Sequence, residues 1–383
     1  MNIGIIGASA AGLYAAILLA RKRPDFHIVL IEKNDKPGKK LLATGNGHCN
    51  LFNTAFSGKQ FNHPEVVESL LERFPASSLL DDLHKLGIAT FEKDGLVYPL
   101  SYSAASYVRY LVGLAEKLGV EFRLSERVLD TEGSHVKTDK GAYAFDHLIY
   151  AFGGCSQANL GSDGSLFPIL KKKGYHIVEP EPSLCPLVSP DVPKSLFGVR
   201  HKCVLKLTKD NKCIYEENGE VLFKKDGLSG IAVMNASSYY EKGCVAELDL
   251  FPEYTAKSLQ EILAASYREN PADFMGVLLE KPLAEFVLQK CKIHRKNRLN
   301  DTDIAAICAY LKNMRFRIEG KYDFASSQVT RGGIDLADVD SNLASKLERG
   351  VSFAGECLDI DGLCGGFNLG WALLSAKVVV ASL

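Results

Sequence analysis

The stretch that decides the fold is Asn2-Ile3-Gly4-Ile5-Ile6-Gly7-Ala8-Ser9-Ala10-Ala11-Gly12. Asn2 to Ile6 is short and mostly apolar, as a buried strand requires, and an apolar-periodic helix is predicted just beyond, from Leu13 to Arg23. A second apolar run, His27 to Ile31, ends on Glu32. Strand, glycine turn, helix, strand and terminal acid together make a βαβ unit of the dinucleotide-binding kind. Gly7 permits the tight turn, and Gly12 lets the helix lie close to the strand. The exposed N–H groups of the helix start then face an anion, and a pyrophosphate is the usual one. Glu32 lies 20 positions after Gly12, where an acid accepts hydrogen bonds from an adenosine ribose. Its charge also disfavours a 2′-phosphate there. Ser9 takes the place of the middle glycine and is small enough not to block a pyrophosphate. The plain alternative, a buried crossover with no ligand, has to account for all of these parts at once.

A chain of 383 residues implies about two or three domains. Apolar residues make up 46% of it, which is ordinary for a globular protein with a large core. A net charge of −1 gives no electrostatic reason to expect a nucleic-acid or membrane partner. The 10 cysteines show no CxxC and no regular spacing, so they read as free thiols in a reducing compartment. A strand starting at residue 2 leaves no room for a signal peptide, and the apolar run from Trp371 to Leu383 is too short to span a bilayer and is interrupted by Lys377. A cytoplasmic protein is expected, with no metal site.

Further along, Leu41 to Asn50 forms a loop of small and hydrogen-bonding residues whose polar groups need partners. Pro64 to Gly87 reads as two helices, Phe91 to Pro99 as a hairpin, and Tyr102 to Leu118 as a helix ending at Gly119. Short strands follow, and the buried run His147 to Ala151 leads to Gly153-Gly154. Prolines 180, 182, 186, 190 and 193 punctuate a change of composition. His201 to Phe223 alternates like strands, whereas Thr255 to Tyr267, Pro282 to Lys290 and Asp301 to Leu311 are periodic like helices. Strand character returns at Phe316 to Ile318, Gln328 to Thr330 and Val351 to Ala354. The resulting layout is nested: a nucleotide-binding domain split between the two ends of the chain, a strand-rich insert, and a helical segment inside that.

The second anchor is Gly355-Glu356-Cys357-Leu358-Asp359-Ile360-Asp361-Gly362-Leu363-Cys364-Gly365-Gly366-Phe367-Asn368-Leu369. Glu356 and Asp359 can accept hydrogen bonds from a polyol chain, and Gly362, Gly365 and Gly366 allow backbone contact. A helix starting near Asn368 turns its free N–H groups back towards the loop, where they can stabilise negative charge on a reduced flavin ring. A simple nicotinamide enzyme needs no such second site.

With these pieces in place, the chain resembles a bacterial flavoprotein family that includes aminoacetone oxidase and a flavin reductase of bile-acid-inducible operons, within the wider glutathione-reductase-like and fumarate-reductase-like FAD proteins. The matching segments are Gly7 to Gly12, Gly38 to Asn53, Ala151 to Gly154, Leu222 to Gly230, Val329 to Ile334 and Ala354 to Ala372, in order along nearly the whole chain. The resemblance implies an α/β fold: a split Rossmann-like FAD-binding domain over 1–183 and 330–383, an inserted β-rich domain over 184–253 and 313–329, and a helical domain over 254–312. It also implies flavin contacts at Ser9, Ala10, Ala11, Glu32, Lys33, Lys40, Thr44, Asn46, Cys49, Asn50, Val128 (through its backbone), Gly153, Glu356, Asp359, Asn368 and Leu369, alongside Gly7, Gly12, Gly355 and Gly366. His48 stands where the family usually carries arginine.

The implied activity is FAD-dependent hydride transfer to or from a small organic substrate, with the FAD held non-covalently. No second Gly-x-Gly-x-x-Gly unit follows a strand. Either NAD(P)H binds transiently at the flavin face, or the substrate reduces FAD and oxygen reoxidises it. Arg331, His48, Tyr98 and Lys224 are candidates for a polar substrate pocket at the domain interface, with Arg331, beside a double glycine read as a turn, suited to pair with an anionic group. No side chain is assigned a catalytic role. Cys49 reads as a small hydrogen-bonding spacer in the loop, and Cys357 and Cys364 lack the spacing of a redox disulfide. The cluster Lys290 to Arg298 is basic but isolated, with only a histidine to stack on bases, and reads as a solvated helix end. An FAD-dependent RNA-modifying or RNA-binding protein is the alternative. The oligomeric state is not encoded legibly.

Overall fold

The computed structural model describes residues 1–266 and 268–383. The contacts divide the chain into two compact units, Met1–Pro182 with Ser327–Leu383, and Ser183–Ser326.

The first unit is built on a parallel sheet of β1 (Asn2–Ile6), β2 (His27–Ile31), β3 (Glu121–Arg123), β4 (His147–Tyr150) and β5 (Val351–Phe353), in the order β5-β4-β1-β2-β3. The central β1 pairs Ile5 with Leu30 on one side and Ile149 on the other. Its strands read as near-continuous apolar runs because both faces are covered. One cover is α1 (Ala10–Lys22), which packs beside α2 (Ala104–Lys117) and α3 (Phe367–Ser382). Helix α3 is apolar all round and almost entirely buried, as the run from Trp371 predicts. Lys22, in the last turn of α1, donates to the C-terminal carbonyls of Val380 (2.9 Å) and Ala381 (3.1 Å). The C-terminal tail is thereby fastened to the N-terminal βαβ unit. No helix among the described residues is long and apolar enough to cross a membrane.

The second unit centres on an antiparallel sheet whose long hairpin, Arg200–Lys209 with Lys212–Lys224, matches the alternating stretch. The helices Ala256–Ala264, Lys281–Lys290 and Asp301–Lys312 match the periodic stretches, and Tyr267, expected to close the first of them, lies outside the described residues. Two short helices, Ile231–Ser237 and Pro271–Gly276, have no counterpart in the sequence reading. Leu259, Phe286 and Ile307 of the helical segment lie in the same buried cluster as Leu205, Leu248 and Phe316 of the sheet. Each amphipathic helix needs a surface for its apolar face, and here that surface is the sheet.

A further difference concerns Arg331. Its double glycine was expected in a turn, but Val329–Ile334 is a strand, paired with Ile177–Ser183. Backbone crowds it from both sides: a Cβ on Gly332 would meet the Glu179 carbonyl oxygen at 2.6 Å, and one on Gly333 the Cys357 carbonyl oxygen at 2.6 Å. Here the glycines serve close approach, not chain reversal.

Candidate functional site

The nucleotide cradle forms where β1 meets α1. Gly7 has φ +103, and a Cβ on Gly12 would fall 1.8 Å from the Gly7 carbonyl oxygen. Turn and helix therefore touch through bare backbone. Ser9 occupies the N-cap position, but its side chain makes no capping hydrogen bond, and the first turn carries no acid. The N–H groups there are left for an outside acceptor. Glu32 is buried at the end of β2, with Oε2 accepting from Ala8 N (2.9 Å) and Oε1 from Asn34 N (2.8 Å). A carboxylate has about four acceptor positions, so both oxygens keep capacity for ribose hydroxyls. A cleft opens beside it, lined by Gly7, Glu32, Lys33, Arg127, Val128 and Asp163 among others. Lys33 pairs with Asp163, and Arg127 reaches the same carboxylate at 3.4 Å. Burial works against a charged Asp163, but hydrogen bonds from Lys33 and Ser165 outweigh it and bring its pKa down to about 2.

The second cradle gathers chain from both ends of the sequence. Helix α3 anchors it: Trp371 Nε1 donates to the Gly355 carbonyl oxygen (3.1 Å), and Ser375 Oγ accepts from Gly355 N (2.8 Å). Glu356 follows and is held by Lys40 Nζ at 2.7 and 3.0 Å and by Thr330 N at 2.9 Å. Asp359 accepts from Gly332 N (3.1 Å), Asn62 Nδ2 (3.2 Å) and His63 Nε2 (2.9 Å). The loop over 44–50 runs through left-handed backbone at Gly45, Asn46, Gly47 and Cys49. With its amide oriented to satisfy both neighbours, Asn50 donates to Phe52 O (2.9 Å) and accepts from Gly366 N (3.1 Å). Asn53 Nδ2 donates to Gly365 O (2.8 Å), while Asn368 clasps the loop through Gly362 N (2.9 Å) and Gly362 O (2.7 Å). The segments over 38–53 and 354–372 thus form one hydrogen-bonded assembly at the start of α3.

The sequence profile of the family described as HI0933-like protein Rossmann domain matches residues 1–382. The chain belongs to this HI0933-like family. Among curated proteins it is similar to the 3-dehydro-bile acid delta(4,6)-reductase of Clostridium scindens, with 29% identity over 97% of this chain and 96% of that protein. It is likewise similar to the ribosomal RNA dihydrouridine synthase of Escherichia coli, with 31% identity over 97% of this chain and 95% of that one. Its fold is shared with a flavocytochrome c3 fumarate reductase in the open conformation, at 16% identity and a TM-score of 0.52, covering 99% of this chain and 77% of the other.

An FAD molecule fits what this HI0933-like chain presents. The first cradle brings turn and helix together through bare backbone, and its donors are those that suit a pyrophosphate. The acid beside it suits a ribose, and the second cradle brings acids and a helix start together. Of the residues expected to touch flavin, Ser9, Ala10, Ala11, Glu32, Lys33 and Val128 fall in or beside the first cradle. Lys40, Asn50, Glu356, Asp359 and Asn368 fall in the second. Thr44, Asn46 and Cys49 lie on the loop beside the second, Gly153 lies near Glu356, and Leu369 is in the first turn of α3. Cys49 is fully buried, and burial pushes its thiol up to about 12. It is therefore a neutral spacer at physiological pH.

Arg331 Nε lies 3.8 Å from Oδ1 of the buried Asp361. His48 stacks flat on Tyr102 at 3.9 Å and bonds its carbonyl through Nδ1, and Tyr102 in turn meets the ring of Tyr98 edge-on. Lys224 belongs to the other unit, 5.1 Å above the ring of Tyr322. The sequence reading missed Asp163, Asn62 and His63. Only the His63-Pro64 step, which opens a helix at Pro64, marks that last position in the sequence.

Proposed function

We propose that this chain is an FAD-dependent reductase that draws on NAD(P)H and saturates a carbon–carbon double bond conjugated to a carbonyl in a small organic substrate. The observation that carries the reading is the coexistence, within one unit, of a pyrophosphate cradle and a second polar cradle formed by the segments over 38–53 and 354–372. Bound FAD supplies the hydride carrier. The chain supplies the rest: α1 and Glu32 would hold the nucleotide end, and Lys40-Glu356 and Asp359 fix the loop that would receive the flavin end. The start of α3 would favour negative charge on a flavin held there. The choice of substrate bond draws on the two curated relatives. One is named for reducing a bile acid at positions 4 and 6, and the other for making dihydrouridine, which is uridine with a ring double bond saturated. Both names describe reduction of C=C, at two electrons for each double bond.

A second reading, reduction of a uridine in RNA, is favoured by the 31% identity to the RNA enzyme. Within the basic segment, however, Lys296 pairs with Asp303 at 2.7 Å and Arg298 with Glu269 at 3.3 Å, which leaves less positive charge for phosphates. The deciding experiment is anaerobic. The FAD-loaded protein is mixed with NADPH, then with a conjugated steroid ketone, a uridine-rich RNA or an amine. The reading expects the flavin spectrum to bleach with NADPH and to recover with the ketone. Recovery with RNA alone moves the assignment to the RNA reading, and bleaching by an amine alone to an oxidase. A protein that takes up no FAD at all refutes every one of these readings.

A further inference from the structure

The reduction proposed above needs a proton as well as a hydride, and a histidine held against the second cradle can carry one. His63 stands at the N-terminal boundary of the helix Pro64–Arg73. It is pinned to the second cradle by its neighbours: Asn62 N donates to Asp361 O (3.1 Å), Asp361 N donates to Asn62 Oδ1 (2.9 Å), and Phe61 bridges to Gly362. Asp359, its side chain only 11% exposed, is fixed by Gly332 N and Asn62 and accepts from His63 Nε2 at 2.9 Å. That contact settles the tautomer. Nε2 carries hydrogen towards the carboxylate, so any further proton sits on Nδ1. Nδ1 has no hydrogen-bond partner among the described residues, and 40% of the side chain is exposed.

We propose that His63, oriented by Asp359, is the proton donor for reduction of the conjugated double bond. The proposal rests on the function proposed above. As hydride reaches the β-carbon, the electron pair of the C=C bond shifts to the α-carbon and is shared with the carbonyl oxygen. The proton on His63 Nδ1 then passes to the α-carbon. The product is the saturated carbonyl compound, His63 is left neutral, and the exposed ring regains a proton from water. The substrate gains two electrons, and NAD(P)H, through FAD, is the reductant that loses them. The charges facing the ring are Asp359, Asp361 and Arg331. The hydrogen bond to Asp359 is the strongest influence and raises the His63 pKa, against partial burial and Arg331, which lower it. Imidazolium therefore persists to a higher pH than in a free histidine.

The test pairs a histidine-selective NMR titration of the FAD-loaded protein with the pH profile of ketone reduction. His63 is expected to titrate above the ordinary imidazole value of about 6.5, and Asp359→Asn is expected to lower that value. Because the protonated ring is the active form, kcat/KM for the ketone is expected to fall as pH rises through the same value. In His63→Gln that limb disappears and the rate drops by about 10²-fold, a usual contribution for a general acid. Added imidazole restores part of the loss, while an unchanged flavin spectrum shows that the variant is folded and loaded. If wild type reduces the ketone and His63→Gln keeps both rate and limb, the proton comes from elsewhere and the inference is overturned, though the proposed function stands. If wild type reduces no conjugated carbonyl, the proposed function falls and takes this inference with it.

Discussion

The two cradles are built by opposite means. The first is local: within Asn2 to Glu32, a strand, a turn and a helix meet through glycine backbone, so that a Cβ on Gly12 would fall 1.8 Å from the Gly7 carbonyl oxygen. The second is assembled from distant chain. Lys40 meets Glu356, Asn53 meets Gly365, and His63 meets Asp359, each pair about 300 residues apart in sequence. The junction of turn and helix in the first depends on the absence of side chains, whereas the second is held together by polar side chains. Substitutions should therefore fail differently in the two places, through overpacking in one and through lost polar partners in the other.

The sharpest way to break this comparison is Gly12→Ala. One methyl group must displace either the turn or the helix, and overpacking of this kind costs about 1–3 kcal/mol or more. The expected outcome is a large fall in Tm, or no folded protein at all, together with loss of bound FAD, read by thermal melting and by the visible spectrum. Lys40→Met comes next. The Lys40 and Glu356 side chains are 18% and 21% exposed, so the pair is neither fully buried nor freely solvated. Glu356 keeps Thr330 N as a donor when Lys40 is gone. A loss of about 2 kcal/mol is expected, in the range for hydrogen bonds to charged groups. FAD should still bind, but more weakly, as read by fluorescence titration of the apoprotein. If Lys40→Met proves the more damaging of the two, the distinction between the cradles fails.

The same distinction explains what could be read from the sequence. The βαβ unit is legible because its evidence is contiguous: apolar run, glycine, apolar period, apolar run, acid. The strand character over 201–223 and the helix over 301–311 are legible for the same reason, since each pattern is specified by neighbours along the chain. The double glycine after Arg331 is misread as a turn because its cause lies elsewhere, in the backbones of Glu179 and Cys357. In the helical segment, periodicity reveals an apolar face on each helix but not the surface that covers it. His63 escapes notice because its role depends on Asp359, 296 residues away. Asp163 is similar: nothing near it in sequence announces Lys33.

The smallest effect, and the finest check on the second cradle, concerns its thiols. Cys49 sits on the left-handed loop and Cys357 directly follows Glu356, so both lie within the assembly of distant chain. Burial pushes both thiols up to about 12, and Cys357 Sγ also donates to Ala354 O at 3.3 Å. Cys213, on the hairpin of the other unit, is exposed. The thiolate is the reacting form, so reactivity follows both access and pKa. Under iodoacetamide at about pH 8, close to the ordinary thiol pKa, Cys213 is expected to be alkylated, while Cys49 and Cys357 remain intact until the protein is denatured, as read by peptide mass spectrometry. Lys40→Met should speed the labelling of Cys357 before that of Cys49, because Cys357 adjoins the glutamate that loses its partner. Cys49 is held by its own loop, with its N–H donating to Thr44 O at 3.1 Å. Equal labelling of the two would mean that the cradle opens as one piece, and the polar contacts across it would then be cooperative and not separable.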